Sequence, residues 1–340
     1  MRKHCSYVPC SLLVNKVSMS FFLKFLRDWT LPFSMSFGAL MYLLFAYTPA
    51  LNDAALFFDP IFELILPWFM FLVLFVTFCK VDFHKMRPVA WHAWNILLQL
   101  VMVGIIVGII LYFRLQGNDL ILMESALTCV IAPCATAAAV VTSKLGGNLE
   151  SITTYTFITN FITALLVPLC FPMVDPDVTM TFWQSFLQIL YKVCMVLVLP
   201  MVLAYIVKHF MHRLHRKIIS IRDLSYYLWG CSLTIVTGTT VKHICHAQTG
   251  VGFLLMIALL SLLFCFVLFV VGRYVGSHYG CSVDAGQASF QKNTAFAIWI
   301  AYTYLTPLSS VGPGCYILWQ NIINSLELWQ KRKKGELRGS

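Results

Sequence analysis

The residues best suited to chemistry are Gln291, Lys292, Asn293 and Thr294, four polar residues in a row inside a long apolar segment, with Gln287 one helical turn before them. A lysine deep in an apolar segment costs about 2.5–3.5 kcal/mol to place in a bilayer, so it is paired or lines a wet cavity. The ordinary fate of such a lysine is to stretch its stem and reach the interface. That suits Lys192, near one end of its segment. It suits Lys292 poorly, because both segment ends are about ten residues away. A second interruption reads Ile131-Ala132-Pro133-Cys134-Ala135-Thr136. Pro133 lacks a backbone donor and its ring clashes with the preceding turn, so the helix opens or kinks there. A simple proline kink is the plainer alternative. Two opened helices would make an ion site. Their new N-termini, at Thr136 and Thr294, offer free N–H groups and positive dipole ends to an anion such as a carboxylate. Their new C-termini, at Ala132 and Phe290, offer carbonyls to a cation, and Lys292 would be a cation permanently attached. Asn160 and Asn293 are expected to line the same cavity, and Asn321 and Asn324 to line it or to bond between helices.

The elements that must position these residues follow from composition. Of 340 residues, 59% are apolar, about 200, and only 11% are charged. Mean hydropathy is +0.80. A bilayer-crossing helix takes about 20 apolar residues, so the supply is enough for roughly ten. A soluble enzyme, a disordered chain and a nucleic-acid-binding domain are excluded. Ten apolar segments are expected, near 30–50, 62–79, 91–113, 120–145, 149–173, 183–208, 224–245, 250–272, 282–305 and 307–329. They are long continuous runs without period-two alternation, hence helices rather than strands. The fold class is an all-α polytopic membrane protein. The 12 cysteines are scattered through these segments and read as small reduced apolar residues. The first 18 residues carry charge but no long apolar core, so they make no convincing signal peptide and are expected to be disordered or to precede the true start.

The net charge of +10 is a statement about topology. With the N-terminus inside, 20 of the 24 Lys and Arg fall on the cytoplasmic side, including the cluster Lys208, Arg213, Arg216, Lys217 and Arg222 and the tail from Lys331 to Arg338. Only Arg114 and Lys242 fall on the other face, where the loops carry Asp53, Asp59, Asp175 and Asp177. This asymmetry follows the positive-inside rule and places both termini in the cytoplasm of a multi-pass protein of the cell (inner) membrane. Features also recur at half the length of the membrane portion. Leu31-Pro32 pairs with Leu199-Pro200, and the Pro133 break pairs with the break near Gln291 to Asn293. Two five-helix halves of opposite orientation are expected, 29–175 and 176–330, preceded by a cytoplasmic segment 1–28 and followed by a basic tail 331–340. That is the inverted-repeat plan of many secondary transporters.

These residues resemble the bile acid/sodium symporter family over nearly the whole membrane portion, most clearly in 71–102, 131–168 and 287–325. Phe71 to Pro88 is similar to the family's second helix and the loop after it. Pro133 to Asn148 is similar to its proline-containing break, and Pro307 to Asn324 to its last helix. The resemblance implies ten helices with the fourth and ninth broken and crossing. It also implies a core domain, a flatter panel domain, and an organic-anion cavity between them. It implies that Gln99 and Thr156 stand at family sodium-site positions. The departures bear on coupling. Where sodium-binding members carry a hydroxyl and an amide after the fourth-helix break, this chain has Ala138 and Ala139. Where they carry a glutamate followed four residues later by glutamine, it has Gln287 and Gln291, and the next position is Lys292. Losing an anionic ligand while gaining a cation argues against sodium.

The expected function is alternating-access transport of a small organic anion, bile-acid-like, sulfated or carboxylate, without sodium. Lys292 would stand in for the sodium, with transport by uniport, by exchange or coupled to a proton. Glu124 is a candidate proton carrier or ion-pair partner, the alternative being interfacial exposure. A lipid-modifying membrane enzyme and a non-transporting sensor are the competing classes. No metal, cofactor or nucleic acid is implied; the expected partners are the anion and the bilayer. Lys242, His243 and His246, and the spaced His209, His212 and His215, read as interfacial residues rather than metal ligands. Asn148 and Glu150 read as the N-terminal cap and charge of a helix.

Overall fold

The computed structural model describes residues 29–48, 51–174, 181–221, 223–246 and 249–334, and among these the chain forms helices and no strand. The N-terminal segment 1–28, Asp175, Asp177, Arg222 and the end of the basic tail lie outside the described residues, as do the side chains of Lys192 and His243. All ten expected apolar segments are helical. The first three are α1 (Thr30–Tyr47), α2 (Asn52–Lys80) and α3 (Ala90–Phe113). The fourth is split into α4 (Gly117–Ile131) and α5 (Thr136–Lys144), and the fifth is α6 (Leu149–Val174). The sixth is α7 (Phe182–Val193), a π-helical turn Cys194–Val198 and α8 (Leu199–Phe210), followed by a short basic helix, α9 (His212–Ser220). Then come α10 (Leu224–Cys245), α11 (Val251–Ser277), the split ninth segment α12 (Ser282–Phe290) and α13 (Thr294–Tyr304), and α14 (Val311–Lys333).

Two elements differ from expectation. Helix α2 begins ten residues before the expected start at 62, taking in Asp53 and Asp59, which read as loop residues. The sixth segment is not one uniform helix. Its π turn falls just before Pro200, whose missing N–H breaks the regular ladder.

The helices present the apolar outer surface of a membrane protein. On α11 the buried residues are Ile257, Ser261, Cys265, Leu268, Gly272 and Gly276, one stripe of helical period. The opposite face turns out Leu255, Leu259, Leu263 and Phe266, each more than half exposed. Among the described residues, four helices, α1, α3, α6 and α11, are long and apolar enough to cross a membrane.

Packing sorts the helices into two groups. Helix α10 packs on α1 and α2, and α2 on α8. The α1–α10 approach is close enough that a Cβ at Gly38 would meet the carbonyl oxygen of Thr234 at 2.1 Å. Helices α3, α4, α6, α11, α12, α13 and α14 form the other group, around the two breaks. The groups meet through a cluster that includes Val73, Val140, Val141, Tyr226, Trp229 and Leu233. Lys144 pairs with Asp223 at 2.8 Å and lies over the Tyr226 ring, Lys331 donates to the Leu145 carbonyl, and Lys208 donates to that of Val81.

Candidate functional site

The two breaks solve each other's backbone problem. An opened helix inside an apolar core leaves N–H and C=O groups without partners, and each must find one. Here the segment between α4 and α5 lies antiparallel to the segment between α12 and α13. The Ala135 N–H donates to the Gln291 carbonyl at 2.7 Å, and the Asn293 N–H donates to the Pro133 carbonyl at 2.9 Å. Cys134 and Lys292 face each other at the centre of this bridge. Pro133 thus opens its helix rather than merely kinking it. The second break has no proline. It is set by that pairing and by Asn293, whose side chain accepts from the Phe296 N–H and caps α13.

The C-terminal ends of the half-helices are closed by neighbouring side chains. Gln99 Nε2 donates to the Ile131 carbonyl at 3.0 Å, and Thr163 Oγ1 donates to the same oxygen at 2.9 Å. Tyr316 donates to the Phe290 carbonyl at 2.8 Å, and Thr159 Oγ1 accepts from the Cys134 N–H. Of the two carbonyls expected to face a cation, that of Phe290 accepts from Tyr316 and that of Ala132 accepts from Gln99 Nε2 at 3.4 Å.

The N-terminal ends are open to a cavity of about 60 Å³. Ala135, Thr136 and Ala137 line it from the first break, and Lys292, Asn293 and Thr294 from the second. Its far wall is Met70 and Val73 of α2 and Trp229, Leu233 and Val236 of α10, so it sits between the two helix groups. Lys292 is 2% exposed, and its backbone N–H donates to Gln320 Oε1 at 2.9 Å. The first residues of any helix have N–H groups without intrahelical partners. Two such sets line this space together with Lys292.

Beside the crossing runs a buried polar chain. Gln291 Nε2 donates to Asn324 Oδ1 at 2.8 Å and to Gln287 Oε1. Gln287 donates to Glu327, which is paired with Arg273. Of the expected site residues, Lys292, Asn293, Thr294 and Thr136 reach the cavity, and Pro133, Gln291 and Gln287 build the scaffold beside it. Gln99, Thr156 and Asn160 do not line it. Gln99 closes α4, Thr156 donates to the Ile152 carbonyl, and Asn160 donates to that of Thr156. Glu124 is fully buried on α4, which removes the reading of interfacial exposure. It lies seven residues before the end of α4, about 10 Å along the axis. Asn148 accepts from the Ser151 N–H, as a cap should. Three participants were not anticipated, Gln320, Glu327 and Arg273. The signal for the first two was a polar stripe on α14, Gln320, Asn324 and Glu327, at helical spacing. Among the described residues no group of three His, Cys, Asp or Glu is placed to hold a metal ion.

Comparison with known proteins decides the lineage. The model of the Sodium Bile acid symporter family matches residues 67–274, more than half of the chain. The chain belongs to the sodium bile acid symporter family. It is accordingly a multi-pass membrane protein of a transporter family. The matched region holds α3 to α6 and the first break, and ends in α11, while the second break and Lys292 lie beyond it. A search of curated proteins found no match to this member of the symporter family.

Proposed function

We propose that the chain is a secondary transporter of a small organic anion, working by alternating access and without sodium coupling. One observation carries this reading: Lys292 and the N-termini of α5 and α13 line one cavity between the two helix groups. An ammonium and two positive dipole ends in a low-dielectric space favour a carboxylate or sulfate. The relative motion of the two groups would expose that cavity to each side in turn.

The residues do not fit a sodium ion. Gln287 is neutral, Ala138 and Ala139 carry no side-chain oxygen, and the half-helix carbonyls already accept from Gln99, Thr163 and Tyr316. One carboxylate does reach Gln287, that of Glu327, but Arg273 neutralises it. A fixed cation at Lys292 adds repulsion. The reading includes ten membrane spans in two inverted halves, supported by the paired breaks, and both termini on the basic, cytoplasmic side. Equilibrium binding of labelled organic anions to purified protein tests it. Wild type should bind, and Lys292→Ala should bind at least tenfold more weakly. Equal binding by Lys292→Ala would refute the role of the ammonium.

A further inference from the structure

Gln320 stands on α14, 6% exposed, among the residues lining the cavity. Its carboxamide has two unlike ends, and one of them is committed. Oε1 accepts from the Lys292 backbone N–H at 2.9 Å, which fixes which way the amide points, because a nitrogen there would oppose another donor. The remaining end, Nε2, is donor only and is left to the cavity. Resting on the anion-transport reading above, we infer that Gln320 is a ligand-binding residue of this site, and that with Lys292 it holds the two oxygens of a short-chain carboxylate.

The chemistry and size of the site both support this class. Two side-chain donors from different helices, an ammonium and an amide, match the two oxygens of a carboxylate. At about 60 Å³ the cavity holds roughly four to six water-sized groups. That is room for a ligand on the scale of acetate to butyrate. The clamp on the Lys292 backbone also ties the ligand to the second break, since one amide serves both.

The test is binding of radiolabelled acetate, butyrate and octanoate to purified full-length wild type, Gln320→Glu, Gln320→Leu and Lys292→Ala, with thermal melts of each. Gln320→Glu keeps the acceptor for the Lys292 N–H but replaces the cavity donor by a carboxylate oxygen. It should keep its melting temperature within a few degrees and lose butyrate affinity at least tenfold. Gln320→Leu should lose both affinity and melting temperature. Wild type should bind acetate and butyrate more tightly than octanoate. Unchanged butyrate affinity in Gln320→Glu, with the loss confined to Lys292→Ala, would overturn the role of Gln320 and leave the anion reading standing. Octanoate binding tighter than butyrate would overturn the size class. Absence of binding by wild type for all three probes would overturn this inference, and wild type's failure with larger organic anions as well would overturn the transport reading.

Discussion

Lys292 is useful because of what surrounds it as much as for its charge. Its backbone is held by Gln320, and its break is held by Pro133 and Ala135 of the opposite strand segment. The neighbouring chain from Gln291 through Gln287 to Glu327 and Arg273 supplies a second, neutralised pair of charges. Glu327 is 9% exposed, so removing its charge leaves Arg273 without an anionic partner and Gln287 with a weaker, neutral acceptor. Glu327→Gln should therefore lower stability by on the order of 2 kcal/mol. Melts in detergent against wild type check this, and an unchanged melting temperature would show that the pair contributes nothing. Lys292, Gln291, Asn293 and Thr294 were legible in the sequence because four polar residues in an apolar run have no other explanation. Gln320 and Glu327 were not read, although with Asn324 they form a polar stripe at helical spacing, because that stripe runs into a basic tail and looks like the ordinary fading of a membrane helix. Only their partners across the fold reveal them. The half-helix carbonyls show the same limit. They looked open to a cation until Gln99, Thr163 and Tyr316 were found on them.

At the scale of elements, nine-residue helices such as α5 and α12 are too short to be stable alone, so their packing must hold them. For α12 the support is α11. Gly272 and Gly276, one small-x-x-x-small pair, let the two backbones approach in the way common between membrane helices. A Cβ at Gly272 would lie 2.6 Å from the Ser289 Cβ and 2.8 Å from the Ala285 carbonyl oxygen. Those are backbone-anchored atoms that cannot swing away. Gly272→Ala should destabilise the protein by about 1–3 kcal/mol and, by displacing α12, weaken anion binding. Thermal melts and binding on the same preparation check both, and a variant equal to wild type in both would contradict this account of the α11–α12 contact. The Pro133 break could be read from the sequence because proline acts locally. The second break could be read only from its polarity, because its backbone geometry depends on pairing with a segment more than 150 residues away. The early start of α2 and the π turn before α8 escaped for a related reason. Asp59 is a loop signal in water, whereas inside a membrane protein the backbone must keep its internal hydrogen bonds, and Pro200 disturbs its ladder without ending the helix.

For the whole molecule, apolar composition and low charge already fixed a helical membrane protein, and the exposed apolar face of α11 agrees. Among the described residues Lys144, Lys208 and Lys331, far apart in the sequence, each bind another segment, and Lys144 joins Asp223 and Tyr226 at the start of α10. What sequence could not provide was how the two helix groups meet. That depends on side-chain fit among residues such as Val140, Tyr226 and Leu233, each of which reads as one more apolar residue. The central claim is that a protein-borne cation, rather than sodium, serves the anion site of this symporter-family chain. Uptake of an organic anion into proteoliposomes, for wild type and Lys292→Ala, with and without a sodium gradient, tests it most directly. The account predicts equal wild-type uptake in the presence and absence of sodium and uptake reduced at least tenfold in Lys292→Ala. Strong stimulation of wild type by sodium, or normal uptake by Lys292→Ala, would contradict it.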